Sequence, residues 1–324
     1  DHPILIDQFI ENAFEFDVDA LCDGEEVFIG GIMQHIEEAG VHSGDSSCVI
    51  PPYEVSDSVK KEIETITTKL ALELKVIGLI NLQFAVKDEK VYVLEVNPRS
   101  SRTVPFVSKY SNIPLANIAS QISVGKSLKD FKLKKNNFEH YAVKKAVLPF
   151  NKFKDEKVFL GPEMKSTGEV MGIDMSTGSA FLKAMKSDGY NVPKTGTAFL
   201  SVNKTDRKGL VLIAKNLVDL GFNLVATKGT CKFLNEHGII CDDMFKVGEG
   251  RPNVVDEILN DNIQLVVNTP EGPQSRFDEE AIGKTSVMKN ILTITTLPGA
   301  RAAIDSMKHL NDINVKALQE YFKK

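Results

Sequence analysis

The chain has 324 residues and a formal net charge of −5, with 39 basic residues against 44 acidic ones. The negative charge argues against nucleic acid as a general partner, and no apolar run is long enough to cross a membrane. The length suggests about two domains. The first residues do not support a signal peptide, and the missing initiating Met suggests either a fragment of a longer chain or processing.

The first third of the chain predicts a sheet with a helix packed against it. Alternating apolar residues predict strands at residues 4–10, 15–22 and 27–33. Ser56 is a good N-cap for the following helix, in which five aliphatic side chains between Val59 and Leu74 form one stripe. A further helix is predicted at residues 114–124, with Pro114 at its first position.

Two predicted strands between these helices carry polar side chains on one face. In residues 79–86 the odd positions include Asn81 and Gln83, and in residues 91–97 they include Glu95 and Asn97, while the even positions are apolar. The two apolar faces coincide only if odd residues pair with odd, which requires an odd-length loop such as residues 88–90. That register places Gln83 opposite Glu95.

This hairpin predicts a nucleotide·Mg²⁺ site. Gln83, Glu95 and Asn97 offer three hard oxygen ligands, and Arg99 and Arg102 follow the end of the strand. Mg²⁺ takes one or two carboxylates together with phosphate oxygens, and Arg binds phosphate in a bidentate way. The alternative is an amphipathic hairpin whose polar face is simply solvated, and the four polar positions followed by two arginines favour the site.

From residue 195 onwards, apolar strands alternate with amphipathic helices. The predicted strands cover residues 197–202, 223–227, 264–268 and 291–295, with a weaker strand near 243–247. The predicted helices cover residues 207–220, 230–237, 254–260, 278–289 and 299–310. This alternation predicts a parallel sheet with helices on both faces, so the fold class is α/β. Domains are predicted at residues 1–125 and 190–324, joined by a connecting region at 126–189 that ends in a helix at 179–187.

Two compositional features have alternative explanations. Residues 124–157 contain ten lysines and four acids, which favours a solvated connecting region over nucleic-acid binding and leaves open a contact surface for other parts of a larger enzyme. Cys231, His237 and Cys241 are close in sequence but lack a fourth ligand and a typical zinc spacing. The four cysteines are therefore predicted to be buried or partly buried free thiols in a reducing cytoplasm.

The motifs around the hairpin strongly resemble the carbamoyl phosphate synthase large subunit family, whose synthetase halves are ATP-grasp ligases. The sequence EVNPR after a Gln-bearing strand matches the metal-binding end of the second synthetase half. The segments EEAGVHSGDSS at 37–47, RTVPFVSKYSNIPLA at 102–116 and GPEMKSTGEVMGI at 161–173 extend the match along nearly the whole chain. The resemblance implies an ATP-grasp C-terminal subdomain, with an antiparallel sheet and helices, followed by a methylglyoxal-synthase-like allosteric domain.

The resemblance also implies an activity. In the family this half phosphorylates carbamate with ATP to give carbamoyl phosphate, in a glutamine-hydrolysing ligase of arginine and pyrimidine biosynthesis. The implied cofactors are Mg²⁺ or Mn²⁺ with ATP, and K⁺ as a further cation. The implied partners are a glutaminase small subunit and further copies in an oligomer. The 324-residue chain alone is expected to be inactive.

Site roles are carried over position by position. Arg99 and Arg102 would be the catalytic phosphate-binding residues, and Gln83, Glu95 and Asn97 the metal ligands. The positions implied to contact ATP are Asp7, Glu15, Gly40, Val41, His42, Ser43, Gln83 and Glu95, with Glu15 near the ribose or a monovalent cation. Taken alone, the residues of the loop at 39–45 favour a turn with a structural His over a nucleotide site. Glu37 and Asp45 match acids that bind ornithine in relatives, but Lys145 replaces a third acid, so weak ornithine binding is expected.

A second ligand site is predicted where the strand at 223–227 meets a helix. Small and hydroxyl residues at a strand-to-helix turn expose helix N-terminal amides, which bind anions, although a Thr-capped helix with nothing bound fits the spacing equally well. The turn is similar to the phosphate site of methylglyoxal-synthase-like domains, which implies that a nucleotide monophosphate effector, UMP or IMP, is bound by Ser201, Arg207, Thr227, Thr230, Lys246 and Asn268. Pro270 replaces a Thr often found in this family.

Two alternative functions remain. Residues 269–276 lack the Gly-rich loop with a catalytic Asp of true methylglyoxal synthases, so the second domain is interpreted as a regulatory sensor. Another ATP-grasp ligase, such as a carboxylase or a purine-pathway ligase, would lack this domain. A non-catalytic nucleotide-sensing module would use the first domain only as a platform.

Overall fold

The structure is a computed structural model that describes residues 4, 10, 13–37, 40–53, 55–134, 138–149, 163–269 and 273–322, apart from the side chains of residues 273–279. The chain forms two compact units, of which the first contains residues 1–41, 48–141 and 316–324 and the second residues 42–47 and 142–315. Most of the strand expected at residues 4–10 lies outside the described residues. In the part of the chain that the structure describes, no helix has the length and apolar character needed to cross a membrane.

The first unit contains an antiparallel sheet with the strand order β5–β4–β1–β2–β3. The strands are β1 (Phe14–Asp23), β2 (Val27–His35), β3 (Cys48–Ile50), β4 (Ile77–Lys87) and β5 (Lys90–Asn97). The predictions for β1, β2, β4 and β5 are confirmed. The sequence did not indicate β3, because three residues are too few to show a period.

Strict alternation in β1 and β4 separates an apolar face from a polar one. Phe16 and Val18 of β1 and Leu82 and Phe84 of β4 are fully buried in one core. Helix α1 (Asp57–Glu73) covers this core, and its N-cap is Ser56, whose side chain accepts a hydrogen bond from the backbone of Val59. Burying each of these large side chains contributes about 1.5–3 kcal/mol, so the core fixes which face of the sheet remains for polar residues.

Two short helices follow β5. Helix α2 (Val104–Ser111) begins at the N-cap residue Thr103 and ends at Asn112, whose φ is 55°. Helix α3 (Leu115–Ser123) confirms the helix predicted at 114–124. Helix α2 was not predicted, because it has only two turns and contains Pro105 in its first turn.

The expected connecting region contains regular structure. Strand β6 (Tyr141–Val147) begins at the last residue of the first unit, and β7 (Gly168–Asp174) and α4 (Thr177–Ser187) belong to the second unit. Gly172 allows α4 to pack directly on β7, because a Cβ at this position would lie 1.9 Å from the carbonyl oxygen of Ala180. The helix predicted at 179–187 is confirmed.

The second unit also contains a parallel sheet with the order β10–β9–β8–β11–β12. The strands are β8 (Gly196–Val202), β9 (Phe222–Thr227), β10 (Asp242–Met244), β11 (Leu265–Thr269) and β12 (Leu292–Ile294). The helices are α5 (Arg207–Asp219), α6 (Lys228–Glu236), α7 (Val254–Leu259), α8 (Pro273–Met288) and α9 (Leu297–Met307). The parallel sheet is confirmed, with element ends within a few residues of those predicted.

Candidate functional site

The predicted metal site depends on the pairing of β4 with β5. The structure confirms that Gln83 lies opposite Glu95, and it pairs Asn97 with Asn81. These residues share one face of the sheet because the pairing preserves the alternation of both strands.

The hairpin reaches this register by a different route from the one predicted. Lys87 pairs with Lys90, so the loop has two residues, Asp88 and Glu89, with φ values of 50° and 63°. An even-length loop alone would pair odd residues with even ones. A β-bulge opposite Gln83 adds one residue to β5 and restores the parity. The three-residue loop was therefore a wrong prediction, although the register deduced from it is right.

The bulge also changes which β5 side chains face the core. Between the loop and the bulge, Tyr92 pairs with Ala85 and lies on the polar face, whereas the sequence placed it on the apolar face. Val91 pairs with Val86 and packs against the core instead. Because β5 is the edge strand of this unit's sheet, Tyr92 and Leu94 remain 40% and 49% exposed.

The polar face extends across three strands. Asp17 pairs with Gln83, so Asp17, Gln83 and Glu95 form one row across β1, β4 and β5. Asp19 pairs with Asn81, which forms a second row with Asn97. Asp17 and Asp19 were not predicted as site residues, and Asn81 was placed on the polar face without a role. The signal for the two acids was the alternation of acids with apolar residues in FEFDVDA, which repeats the pattern of the hairpin.

The outer part of this face is accessible to a ligand. Glu95, Arg99 and Arg102 are exposed, and Gln83 and Asn97 are partly buried. The backbone N–H of Arg99 donates to the carbonyl oxygen of Asn97 at 2.7 Å, so the chain turns at the strand end. One carboxylate and two carboxamide oxygens fit a hard divalent cation whose remaining positions are filled by phosphate oxygens and water. The two arginines follow at the same end of the strand.

A buried histidine lies between two acids at the other end of the polar face. His35 is 3% exposed, and its ring nitrogens lie 3.0 Å from Asp17 Oδ2 and 3.3 Å from Glu15 Oε2. Burial lowers the pKa of His35, but Cys48, Asp17 and Glu15 together raise this pKa well above its usual value. The potential ligand atoms of Asp17, His35 and Cys48 lie within 4.8 Å of one another. With a carboxylate against each ring nitrogen, His35 is best described as an ion-paired histidine.

Asp19 accepts hydrogen bonds from three side chains. Asn81 Nδ2 and Ser101 Oγ donate to Oδ1 at 3.0 and 2.7 Å, and Thr103 Oγ1 donates to Oδ2 at 2.6 Å. Burial raises the pKa of Asp19 to about 6, against these three hydrogen bonds, which lower it, and the charge of Asp17 adds to the rise. Asp19 therefore links the sheet to the segment that carries Arg102.

The predicted nucleotide loop is divided between the two units. Gly40 and Val41 belong to the first unit, and Gly40 has a φ of 106°, which favours glycine. His42 and Ser43 belong to the second unit, where His42 Nδ1 accepts the backbone N–H of Gly44 at 3.0 Å. Asp7 lies outside the described residues. The ATP roles of these positions remain predictions.

Local contacts occupy two of the positions matched to an ornithine site. Asp45 is buried, and its carboxylate oxygens accept the backbone N–H groups of Lys165 and Ser166 at 2.7 and 2.8 Å. Lys145 Nζ lies 2.6 Å from Asp188 Oδ2 and 4.4 Å from the ring centroid of Tyr190. Glu37 belongs to the first unit. An amine ligand near Lys145 would meet an ammonium that already has its counter-ion.

Most of the predicted effector residues lie at one edge of the parallel sheet. Ser201 pairs with Asn268, and both lie near the carboxyl ends of β8 and β11. Thr227 is the last residue of the neighbouring strand β9 and the N-cap of α6. Ligands of open α/β sheets bind at this edge. Lys246 follows β10 and is exposed.

The first turn of α6 presents donors to this edge. No side-chain hydrogen bond caps the helix at Thr227, whose hydroxyl donates to Thr230 Oγ1 at 3.3 Å. Arg207 lies over the turn, because a Cβ on Gly229 would be 2.8 Å from its Nη2 atom. Among the described residues, the buried Nε of Arg207 has no hydrogen-bond partner. Helix amides and an arginine with an unused donor fit a phosphate. Pro270 lies outside the described residues.

Comparisons with known proteins agree with both units. The family model "Carbamoyl-phosphate synthase L chain, ATP binding domain" matches residues 1–131, and the "MGS-like domain" model matches residues 209–295. The chain is 54% identical over 315 residues to the carbamoyl phosphate synthase large chain of Acidobacterium capsulatum and 51% identical over 323 residues to that of Archaeoglobus fulgidus. These alignments cover 95% and 98% of the chain but only 29% and 30% of the relatives.

A shorter relative is matched over most of its length. The carbamoyl phosphate synthase large chain of Methanosarcina barkeri is 49% identical over 327 residues, an alignment that covers all of this chain and 82% of the relative. Identity at this level across both units, together with the hairpin register and the parallel second sheet, leaves one conclusion. The chain belongs to the carbamoyl phosphate synthase large chain family.

Proposed function

We propose that the first unit binds MgATP in a carbamoyl phosphate synthase and contributes to the phosphorylation of carbamate. The observation that supports this most directly is the pairing of Gln83 with Glu95, with Asn97 next on the same face and two exposed arginines after the strand. The named relatives supply the choice of carbamate, since the geometry alone fits any phosphoryl transfer from ATP. Another ATP-grasp ligase is disfavoured by the match to the second domain.

The side chains would act through position and charge. Phosphoryl transfer spreads negative charge over the equatorial oxygens, so catalysis depends on cations held in line with the transferred group. Gln83, Glu95 and Asn97 would hold the divalent cation, which neutralises phosphate charge when bound. Arg99 and Arg102 would bind phosphate oxygens through paired N–H groups. His35 would hold Glu15 in place on the face, because its ring lies between the carboxylates of Glu15 and Asp17.

Glu95→Gln in the full-length synthase tests this proposal. The substitution keeps the shape of the side chain and removes one ligand charge, so carbamate phosphorylation should fall at least about tenfold while the melting temperature stays close to that of the wild type. Glu62→Gln provides a matched control, because Glu62 is an exposed acid on α1. A wild-type rate in Glu95→Gln would remove Glu95 from the site.

We further propose that the second domain binds a nucleotide monophosphate, UMP or IMP, through its phosphate. The support is the uncapped first turn of α6 beneath Arg207. Charge-assisted bonds from Lys and Arg should dominate the affinity, so UMP or IMP should bind more tightly than uridine or inosine. Calorimetry of the full-length protein with all four compounds tests this.

Substitution of Lys246 sharpens that experiment. Lys246→Ala should weaken nucleotide binding by about 1.5–3 kcal/mol, the value of a hydrogen bond to a charged group. Lys232→Ala is the control. Lys232 is an exposed lysine of α6, and its Nζ lies 3.9 Å from Glu236 Oε1. Equal affinity for nucleoside and nucleotide, or no change in Lys246→Ala, would mean that the turn is only a helix cap.

The remaining proposals follow from the named relatives. We expect Mg²⁺ or Mn²⁺ with ATP, K⁺ as a further cation, a glutaminase small subunit, an oligomer, and roles in arginine and pyrimidine biosynthesis. All four cysteines are buried and free, which supports a reducing cytoplasm. We expect the 324-residue chain alone to make no carbamoyl phosphate, since it covers less than a third of the longer relatives.

A further inference from the structure

The carboxylate of Asp19 accepts hydrogen bonds from the side chains of Asn81, Ser101 and Thr103. Asp19 lies in the middle of β1 and is 1% exposed. Two of its three side-chain donors, Ser101 and Thr103, are the residues on either side of Arg102. Thr103 is the N-cap of α2 but does not cap it with its side chain, because its hydroxyl points to Asp19 instead.

The hydroxyl groups of Ser101 and Thr103 also contact each other. The hydrogen bonds that this group of side chains can form therefore depend on whether Asp19 carries a proton. Ser101 Oγ and Thr103 Oγ1 lie 2.8 Å apart. If Asp19 is ionised, both hydroxyl protons go to its carboxylate and none remains for this contact. If Asp19 carries a proton on Oδ2, that proton goes to Thr103, the Thr103 proton to Ser101, and the Ser101 proton to Oδ1. The protonated acid thus closes a ring of three hydrogen bonds, and the carboxylate still holds both hydroxyls.

We propose that Asp19 is a positioning residue that fixes the segment from Ser101 to Thr103 on the sheet and thereby orients Arg102 towards the transferred phosphate. The inference deepens the proposed function and rests on it. The segment is tied at its other end as well, where the backbone N–H of Arg99 donates to Asn97. Both arginines are exposed and have long flexible side chains, so their backbone must be held for the guanidinium groups to meet a phosphate in one geometry.

A double-mutant cycle separates positioning from a general structural role. In the full-length synthase, Asp19→Ala should lower kcat for carbamate phosphorylation at least about tenfold, because displacement of a charged group by about 1 Å can cost a hundredfold. The KM for ATP should change less than about threefold, since the metal ligands remain. In an Arg102→Ala background, Asp19→Ala should lower kcat less than about twofold further, because residues that act through one group are not additive.

Two further variants protect the test against misfolding. Asp19→Asn should retain most of the activity, because its amide can donate to Thr103 and its oxygen can accept from Ser101 and Asn81. Thr103→Val should behave like Asp19→Ala in both backgrounds. Thr67→Val is the matched control, because Thr67 is fully buried in α1 and its hydroxyl has no hydrogen-bond partner among the described residues. The control should keep the wild-type kcat.

The outcomes distinguish the two levels of the proposal. If Arg102→Ala and Glu95→Gln both leave carbamate phosphorylation unchanged, the proposed function fails and the positioning role fails with it. If Arg102→Ala lowers kcat but Asp19→Ala and Thr103→Val reduce it by the same factor with or without Arg102, only the positioning role is overturned. A wild-type kcat in Thr103→Val would overturn it as well.

Discussion

Replacing Asp19 by Asn should stabilise the folded protein at neutral pH. Burial raises the pKa of Asp19 from 3.8 to about 6, so the folded state binds this proton more tightly than the unfolded chain does. The corresponding stability is fully present below about pH 4 and is lost as the pH rises through 6. Since one pKa unit corresponds to about 1.4 kcal/mol, the ionised carboxylate costs the folded state about 3 kcal/mol at neutral pH. Asn has the same shape and carries no charge.

The substitution can also change the free energy of unfolding by an amount that does not depend on pH. A comparison of the stabilisation at several pH values separates that amount from the effect of the charge. The gain in free energy of unfolding from Asp19→Asn should rise by about 1.4 kcal/mol between pH 5 and pH 7.5. Urea unfolding at pH 5, 6 and 7.5 measures this difference. Asp23→Asn, at the end of the same strand, is the control. Although burial raises the pKa of Asp23, hydrogen bonds from Leu128, Glu26, Glu25 and Ser127 lower it to about 2, so its loss should destabilise the protein. An Asp19→Asn gain that is constant or decreases with pH would refute the reasoning.

Two further predictions concern the second unit. Gly229→Ala should weaken UMP or IMP binding in calorimetry by about 1.5–3 kcal/mol, because the new methyl group would displace the Arg207 guanidinium, while the melting temperature should not fall, since Ala is a better helix former than Gly. Unchanged affinity would show that Arg207 does not contact the phosphate. Ornithine should bind the full-length synthase weakly, because its side-chain ammonium would meet Lys145, which is already paired with Asp188. Tight ornithine binding by calorimetry would contradict this.

The sequence was sufficient to predict those features that depend on a regular alternation, either of side chains along a strand or of strands with helices. The shared polar face of Gln83 and Glu95 followed from the alternation of two strands, and the parallel second sheet followed from the alternation of strands and helices. The exact pairing of Gln83 with Glu95 is right, but it was deduced from a wrong loop length. The alternation of side chains along a strand does not reveal a β-bulge. For this reason the length of the loop at Asp88 and Glu89 and the face occupied by Tyr92 were predicted wrongly. The short helix α2 was missed because two turns with Pro105 resemble a loop.

Contacts between residues far apart in the sequence could not be predicted from local patterns. The hydrogen bonds from Ser101 and Thr103 to Asp19 join residues 82 and 84 positions apart, and no local pattern indicates them. Asp17 and Asp19 did have a local signal, because they alternate with Phe16 and Val18. That signal states only that the acids share a face, and it does not reveal whether the face is solvated.

Burial supports the ligand-site explanation of the polar face over the solvated one, both of which the sequence left open. The hairpin acid Glu95 is exposed. The neighbouring acids Asp17 and Asp19 are only 2% and 1% exposed, whereas a purely solvated face would expose them too. Among the described residues, Asp17 Oδ1 has no hydrogen-bond partner, and Asp19 retains a raised pKa despite three donors. Apolar residues at these positions would avoid the cost of burying charge. Groups that lower stability in this way concentrate at functional sites. The position of Asp17 and Asp19 directly beside Gln83 and Asn81 therefore favours a ligand-binding face over a merely solvated one.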